Sequence, residues 1–214
     1  MLPKPFLNTL YERVGAPLDR AYMDYCLSMI PKNITTALLI DAPNFHKTQD
    51  ELGMEKDYWN FFRVLRNYFN LFPVYYFFGK SCIPEDASRQ MKVATWLARH
   101  HTRVLFREST KYVNPDGTIA SKGNMDVQIA VTALTECHKV DNVMLATGDK
   151  DFLPLIHKLR ERGQMTTVLS TEKVGVNILS RELRLAADMF IDLEWVSILM
   201  KEEKRDIDTS EYLN

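Results

Sequence analysis

The sequence lacks any large excess of positive charge. It holds 27 Lys and Arg against 28 Asp and Glu, which gives a formal net charge of −1 at pH 7. A protein that attracts nucleic acid through its overall field is strongly basic instead. A nucleic-acid partner, if this chain has one, must therefore meet a local basic patch or bridging metal ions.

Long apolar runs, a secretory leader and paired cysteines are also missing. No segment approaches the roughly 18 uninterrupted apolar residues of a membrane span, and residues 1–10 hold prolines and polar residues instead of an apolar signal core. Cys26, Cys82 and Cys137 are far apart and form no CxxC pair. These absences predict a cytoplasmic protein without a membrane segment, whose thiols are buried or half-buried.

What the chain does contain, from residue 34 onward, is an alternation of apolar runs and amphipathic segments. The apolar runs predict strands at residues 37–40, 73–78, 103–106, 142–146, 165–169 and 189–193. Segments of helical periodicity lie between them, at residues 58–69, 85–101, 125–138, 152–162 and 176–185. This alternation predicts a parallel sheet with helices on both faces, in one α/β domain over residues 32–194.

The two ends of the chain are predicted to be additions to this domain. Residues 1–31 are expected to form a helical extension, because a stripe of apolar side chains recurs at helical spacing: Leu18, Tyr22, Cys26 and Met29. The stripe either packs on the main domain or forms a partner surface, including a homodimer surface. Residues 195–214 are expected to form a terminal helix with a charged, frayed tail.

Three aspartates fall at the predicted carboxyl edge of the sheet. Asp41 follows the first strand directly, and Asp149 and Asp151 follow the fourth. Parallel strands bring their carboxyl ends to one edge, where such folds keep their ligand sites. The residues after Asp41 and the polar stretch 107–122 are both predicted to be loops at this edge.

Asp126 is placed at the same edge by helix phase. It begins a predicted helix, and its neighbours on the same helical stripe are Ala130, Ala133 and Cys137. That apolar stripe should face the sheet, where a carboxylate is costly to bury. We therefore expect Asp126, at the start of the helix, to project towards the strand ends.

Each aspartate alone has a simpler interpretation. Asp149 or Asp151 could cap the following helix, Asp126 could complement a helix dipole, and Asp41 could be a loop carboxylate. Four carboxylates at one edge would repel one another at short range, and a cation removes that repulsion. Ligand sets of oxygen alone suit Mg²⁺ or Mn²⁺. The sequence therefore predicts a divalent metal site able to support phosphodiester hydrolysis.

At these residues the sequence resembles the NYN domain family, a branch of the PIN-like nuclease superfamily, and within it the LabA-like group. The matching segments are LIDAPN at residues 39–44, KGNMDV at 122–127, TGDKDFLPL at 147–155 and LRLAADMFIDL at 183–193. Any one segment alone is weak. Their order and spacing together are specific and cover most of the chain.

The resemblance implies a three-layer α/β/α Rossmann-like (PIN-like) sandwich and metal-dependent cleavage of RNA, single-stranded or structured. It implies that four aspartates are the catalytic and metal-binding residues: Asp41, Asp126, Asp149 and Asp151. It also implies contacts to substrate or to the site from four polar residues: Asn44, Lys122, Thr147 and Lys150. Lys150 is a departure, because glycine often separates the paired acids in this family.

Other functions stay open from the sequence. The chain could be a non-catalytic RNA-binding or regulatory protein, or it could hydrolyse DNA or a small phosphate ester with the same acids. Basic residues at the predicted edge could form a local positive rim: Lys47, Lys80, Arg89, Arg107, Lys111, Lys122 and Lys150. Tyr112 could stack an unpaired base. His46 is either a packed side chain or a phosphate contact.

Overall fold

Eight strands and seven helices make up the part of the chain that the computed structural model describes, which is residues 33–113, 116, 119–173 and 178–211. The side chains of residues 117–122 and 205–211 fall outside this description. The strands are β1 (Thr35–Asp41), β2 (Asn70–Lys80), β3 (Thr102–Glu108), β4 (Thr110–Val113), β5 (Ile119–Lys122), β6 (Asn142–Ala146), β7 (Met165–Ser170) and β8 (Met189–Asp192). The helices are α1 (Ala42–Leu52), α2 (Tyr58–Arg66), α3 (Pro84–Arg99), α4 (Asp126–Thr135), α5 (Leu153–Glu161), α6 (Arg181–Ala186) and α7 (Leu193–Glu211), with a 3-10 turn at Lys150–Phe152.

Six of these strands form one sheet in the order β3-β2-β1-β6-β7-β8, and every neighbouring pair is parallel. Strand side chains alternate between the two faces. On one face Leu38 and Ile40 pack with residues of α1, α2 and α7. On the other face Leu39 packs with residues of α4 and α5. The predicted three-layer α/β/α sandwich is confirmed.

The strand order explains where a site should lie. Chain connections run outward from β1 through β2 to β3, and then return so that β6 pairs with the other side of β1. The crevice beyond the carboxyl ends of strands at such a reversal is the usual ligand site of an open parallel sheet. Asp41 is the last residue of β1, and Thr147 directly follows β6.

Two segments that were predicted to be loops have regular structure. Helix α1 begins directly after Asp41, and its buried face includes Thr48 and Gln49 beside Phe45. These polar residues weaken the apolar periodicity that would have identified the helix. In the polar stretch 107–122, β4 and β5 pair as an antiparallel hairpin. The described side chains of β4 are all exposed, so the sequence has no buried apolar face there from which this strand could be predicted.

The remaining predicted elements are present, with ends that differ by up to five residues: the helix predicted at residues 176–185 begins at Arg181, and residues 176 and 177 lie outside the described residues. The terminal helix begins at Leu193, and Trp195 and Val196 are buried in the core. The predicted extension at residues 1–31, with its homodimer surface, lies outside the described residues. Among the helices that are described, none has both the length and the apolar character needed to cross a bilayer.

Candidate metal centre

A tight turn after β6 carries two of the four aspartates. Asp149 caps the 3-10 turn, because its Oδ1 accepts a hydrogen bond from the backbone N–H of Asp151 at 3.0 Å. This bond caps the 3-10 turn and not the following helix that the sequence had suggested, since Phe152 is the N-cap residue of α5. It does not exclude a ligand role, since a carboxylate has two oxygens with about four acceptor positions in all.

Three carboxylates converge at the start of α4. One oxygen from each of Asp126, Asp149 and Asp151 lies within 4.8 Å of the other two. Two oxygens bound to a single Mg²⁺ lie at most about 4.2 Å apart, because each is about 2.1 Å from the ion. The separation of at most 4.8 Å is close to this limit, so the three carboxylates could hold one divalent ion, and the oxygen-only donor set suits Mg²⁺ or Mn²⁺.

Asp41 lies beside this group of three. Its Oδ2 accepts a hydrogen bond from Thr147 Oγ1 at 3.1 Å. Burial raises the pKa of Asp41 to about 7, and the negative charges of Asp126 and Asp149 add to the rise, while the bond from Thr147 opposes it. A cation next to Asp41 would reverse this shift, because it would stabilise the charged form of the carboxylate.

Asp126 shows the same repulsion. Burial raises its pKa, and the charges of Asp149 and Asp151 raise it further, against a hydrogen bond from Asn124. In the described part of the chain, no Lys or Arg forms an ion pair with any of the four aspartates. Among the described side chains, the negative charge of the site is therefore left without a paired cation.

Thr147 and Asn44 hold the loop that presents Asp149. Thr147 is buried, and its Oγ1 accepts a hydrogen bond from the backbone N–H of Asp149 at 3.3 Å while donating to Asp41. Asn44, in the first turn of α1, accepts a hydrogen bond from the backbone N–H of Gly148 through its Oδ1 at 2.9 Å. Both residues thus tie β1 and its helix to the loop after β6. Substrate contact by either residue stays a prediction.

Gly148 permits a second segment to close over this loop. A Cβ atom at Gly148 would lie 2.4 Å from the carbonyl oxygen of Ile178 and 2.8 Å from Cα of Leu179, distances that no side chain tolerates. The backbone N–H of Ser180 donates to the Gly148 carbonyl oxygen at 2.8 Å. The chain before α6 therefore packs directly on the backbone that carries the acids.

Asn124 is a site residue that the sequence reasoning did not assign. Its Nδ2 donates to Asp126 Oδ2 at 2.6 Å, and its Oδ1 accepts from the backbone N–H of Asp126 at 2.7 Å. These two bonds fix the orientation of the carboxylate at the start of α4. An asparagine two residues before an aspartate was the available signal, since Asn side chains commonly bond to the backbone two residues on.

The structure says less about the two lysines that were predicted to contact substrate, Lys122 and Lys150. The backbone of Lys122 pairs with Thr110 at the end of the hairpin, and its side chain falls outside the description. Lys150 is exposed in the 3-10 turn, where its charge acts on Glu182. Contact of either lysine with substrate stays a prediction.

Two open recesses meet at the four aspartates Asp41, Asp126, Asp149 and Asp151, which we call the acidic group. The first, which we call the inner cleft, measures about 940 Å³ and is lined by residues that include Asp41, Asp126, Asp149, Lys47, Lys56 and Arg89. The second, the outer trough, measures about 1070 Å³ and includes Asp126, Asp151, Phe106, Arg107, Val127 and Lys158. The start of α4, at residues 124–126, borders both recesses. An extended ligand can therefore pass from one recess to the other across the carboxylates.

His46 lines the inner cleft as a neutral side chain. Its Nε2 is within hydrogen-bond reach of the hydroxyls of Tyr58 and Tyr76. Burial lowers the pKa of His46 to about 4, and the charge of Lys56 lowers it further. The imidazole therefore brings no positive charge to the site at neutral pH, which favours the packed-side-chain interpretation over a phosphate contact.

Comparisons with known proteins bear on the family and the fold of this chain. A family model described as NYN domain matches residues 35–194. The low amplitude and bright protein LabA of Synechococcus elongatus is 31% identical over 84 residues, which is 39% of this chain and 43% of LabA. The crystal structure of VPA0982, a protein of unknown function from Vibrio parahaemolyticus, superimposes with a TM-score of 0.60 at 21% identity, over 76% of this chain and 94% of that one. The last comparison supports the fold alone.

Proposed function

Because this chain belongs to the NYN domain family, whose members are typically nucleases, we propose that it hydrolyses phosphodiester bonds of RNA at the acidic group. One observation carries the proposal. Carboxylates from β1, α4 and the turn after β6 lie at the edge where the strand order reverses, and burial together with the neighbouring aspartates raises the pKa of Asp41 and of Asp126, while no Lys or Arg of the described residues forms an ion pair with them. A structural role alone does not call for such repulsion.

The residues divide into ligands and positioning residues. Asp126, Asp149 and Asp151 would hold a Mg²⁺ or Mn²⁺ ion, with Asp41 as the fourth acid. When bound, the ion supplies positive charge beside the phosphodiester and makes water a better nucleophile. Asn124 and Thr147 orient the carboxylates through the hydrogen bonds described above.

RNA is the proposed substrate because NYN domains generally bind RNA and because the recesses offer cations on both sides of the acids. Lys47, Lys56 and Arg89 line the inner cleft, and Arg107 and Lys158 line the outer trough. These side chains can contact backbone phosphates on either side of the scissile bond. A chain with a net charge of −1 needs such a local arrangement.

A cleavage assay tests the proposal. End-labelled RNA is incubated with the wild-type protein in Mn²⁺, in Mg²⁺ and in EDTA, and the Asp149→Asn variant is run in parallel. We expect cleavage that requires the divalent ion and falls by at least about a hundredfold in the variant, because loss of even an outer partner of a metal ligand costs 10- to 100-fold.

The same assay separates the alternatives. RNA binding without cleavage in both metals would contradict the proposal and support a non-catalytic RNA-binding protein. Preferential hydrolysis of a matched DNA strand, or of bis(p-nitrophenyl) phosphate alone, would assign the acids to another phosphate ester. Cleavage that survives in Asp149→Asn would indicate a contaminating nuclease or a different site.

A further inference from the structure

The end strand β3 is covered by a helix on one face of the sheet only. On that face α3 packs over β3, whereas on the other face α4 packs over β1 and α5 over β7. Leu105, a β3 side chain on the face of α4, is only partly buried. Among the described residues, the outer trough and not a helix lies beside β3 there. Both faces of a parallel sheet are normally covered by helices, so this side of β3 is incomplete.

The flank of α4 that borders this space is uncharged. Glu136, just past the end of α4, pairs with Arg103 of β3 at 2.9 Å, and Gln128 lies two helical turns before Glu136 on the same side. Val131, on the solvent side of this row, is 48% exposed. Residues 127–135 include no Lys, Arg, Asp or Glu, although the outer face of a surface helix usually carries charge. Such a flank beside an incomplete strand favours cover by an apolar segment.

The described chain enters the domain beside the end of α4. Thr35, the first residue of β1, donates to Asp141 Oδ2 through its backbone N–H at 2.9 Å and through Oγ1 at 2.7 Å. Asp141 lies six residues after the last residue of α4. Strand β3 is two strand spacings, about 10 Å, from β1, and the five residue steps from Ile30 to Thr35 span up to about 17 Å. A segment that ends at Ile30 therefore reaches the uncovered side of β3.

Residues 18–30, which lie outside the described residues, have a suitable length and pattern. Their apolar stripe at helical spacing consists of Leu18, Tyr22, Cys26 and Met29, and Pro31 follows. As a helix these 13 residues are about 20 Å long, and the seven residues of β3 span about 23 Å. Because β1 begins at the amino edge of the sheet, the helix would run towards that edge, in the same direction as α4.

We propose that residues 18–30 form a helix that docks, within the same chain, between β3 and α4. The stripe faces Leu105 and Val131 and completes the helix layer over β3. A tether of a few residues gives the segment an effective concentration in the millimolar range or above, which favours it over a second copy of the chain. The side of the outer trough that α5 forms, with Asp151 and Lys158, stays open to a ligand. This docking goes beyond the proposed function and does not depend on it.

Disulfide trapping in the full-length protein tests the docking. The exposed Cys82 is first replaced by serine, and the buried Cys137 is left in place. Val131→Cys is then introduced, with Gln128→Cys and Thr135→Cys as separate variants. Diamide is added in EDTA without RNA. We expect an intramolecular disulfide between Cys26 and the new cysteine, strongest at position 131, because the bond forms only where Cβ atoms approach to about 4 Å.

A matched control is Ile198→Cys in the same background. Ile198 is 43% exposed on α7, whose buried residues pack on the opposite face of the sheet, so it should form no bond to Cys26. Non-reducing gels separate an intramolecular bond from a dimer, and peptide mass spectrometry identifies the partners. A disulfide between two chains alone would assign the surface to a second copy. That result, or no disulfide at all three positions, would overturn the docking.

A second readout does not depend on the position of Cys26. Both Cys26 and Cys82 are replaced by serine, and the cysteine of Val131→Cys is labelled with a maleimide. Tyr22→Asp places a charge in the stripe, so it should release the segment and speed labelling by at least about tenfold. Leu27→Asp is the matched control, because Leu27 lies on the opposite side of the predicted helix, and it should change the rate by less than twofold.

Labelling of Ile198→Cys should be the same with and without Tyr22→Asp, which separates release of the segment from general unfolding. Circular dichroism and thermal unfolding establish that each variant is folded. Equal labelling rates at position 131 in Tyr22→Asp, in Leu27→Asp and in their parent would show that the stripe does not cover α4, and would overturn the docking even if the RNA cleavage proposed above is observed.

Discussion

The aspartates beside β1 and β6 and the acidic residues beside β8 lie at the same edge of the sheet in opposite electrostatic situations. Asp192 ends β8 and is 4% exposed, and its two oxygens accept hydrogen bonds from the backbone N–H groups of Glu172 and Glu194. Arg184 pairs with Glu172 at 2.7 Å, and Lys173 pairs with Glu194 at 3.2 Å. We call these three acids the β8 cluster.

Burial raises the pKa of Asp192, as it does for Asp41 and Asp126, so burial alone does not distinguish the two groups. Neighbouring acids add to the rise in both groups, since Glu194 raises the pKa of Asp192 as Asp126 and Asp149 raise that of Asp41. The groups differ in their cations, because Arg184 and Lys173 pair with acids of the β8 cluster, whereas no Lys or Arg of the described residues pairs with the four aspartates. A carboxylate at a strand end is therefore no evidence of a site by itself. Carboxylates that converge with no paired Lys or Arg among the described residues are better evidence, because a bound cation would relieve their repulsion.

The largest expected difference between the two groups is in catalysis. Asp126→Asn should reduce metal-dependent RNA cleavage by at least about a hundredfold, because it removes a direct ligand. The same substitution in the β8 cluster, Asp192→Asn, should leave the rate within about twofold at a temperature where the variant is folded. Single-turnover cleavage at saturating Mn²⁺ measures both. Equal losses would show that the two groups do not differ in function.

The next largest expected difference between the two groups is in the rise of Tm when Mn²⁺ is added. At a concentration 100 times the Kd, a bound ion adds about 2.7 kcal/mol to the stability, which corresponds to a rise in Tm of about 5–10 °C for a chain of this size. Wild type and Asp192→Asn should both show the rise. Asp126→Asn should lose most of it. A rise of the same size in Asp126→Asn would place the ion elsewhere.

Substitutions in the two groups should change the stability of the metal-free protein in opposite directions. At pH 8 in EDTA, Asp41→Asn should stabilise the fold by about 1–2 kcal/mol, because it removes a buried charge that its neighbours repel and keeps an oxygen for Thr147. Asp192→Asn should destabilise by about 1–3 kcal/mol, because its two donors bond to different oxygens and an amide offers only one. Urea unfolding gives both values. A destabilised Asp41→Asn would refute the account of repulsion.

The smallest expected effect concerns His46. Its protonation would give the acidic group a cation of its own, and so remove the difference from the β8 cluster. Its pKa of about 4 lies below the usual 6.5. Between these values the unfolded chain binds a proton that the folded chain does not, so stability falls as the pH decreases from 6.5 towards 4. From pH 7.5 to 5.5 the loss should be about 1 kcal/mol.

An NMR titration of the imidazole signals in EDTA measures this pKa directly, with the exposed His138 as an internal reference. A value below 5 is expected for His46. In a His46→Asn variant, the fall of stability between pH 7.5 and 5.5 should be smaller by about 1 kcal/mol. A pKa near 7 for His46 would mean that the inner cleft carries a histidine cation.

The sheet and three of the aspartates could be predicted from the sequence because the signals are local. The runs that end at Asp41 and at Ala146 are buried on both faces and are therefore continuously apolar. Parallel strands then place the following acids at one edge. Asp126 needed the phase of a helix as well, and its approach to Asp149 and Asp151 is a fact of tertiary structure.

What could not be predicted depends on contacts between distant segments. Helix α1 buries Thr48 and Gln49, and the hairpin strand β4 is exposed, so neither produces the apolar pattern of a regular element. The stacking of the Phe106 ring on that of Phe78 joins two strands, and the contact of Ile178 with Gly148 spans 30 residues of sequence. No local pattern encodes such pairs, because each side chain gains its role only when the strands assemble.

The hydrogen bond from Thr147 to Asp41 also has a consequence for the order of events during synthesis. The two residues are 106 positions apart. The contact of Ser180 with Gly148 means that the chain must be made as far as Ser180 before the loop after β6 has all its contacts. A growing chain that has emerged only as far as the hairpin carries Asp41 without its partners. Contacts of such long range form late. The centre is therefore assembled only after most of the domain has left the ribosome, so a partly made chain does not yet carry the complete group of four aspartates.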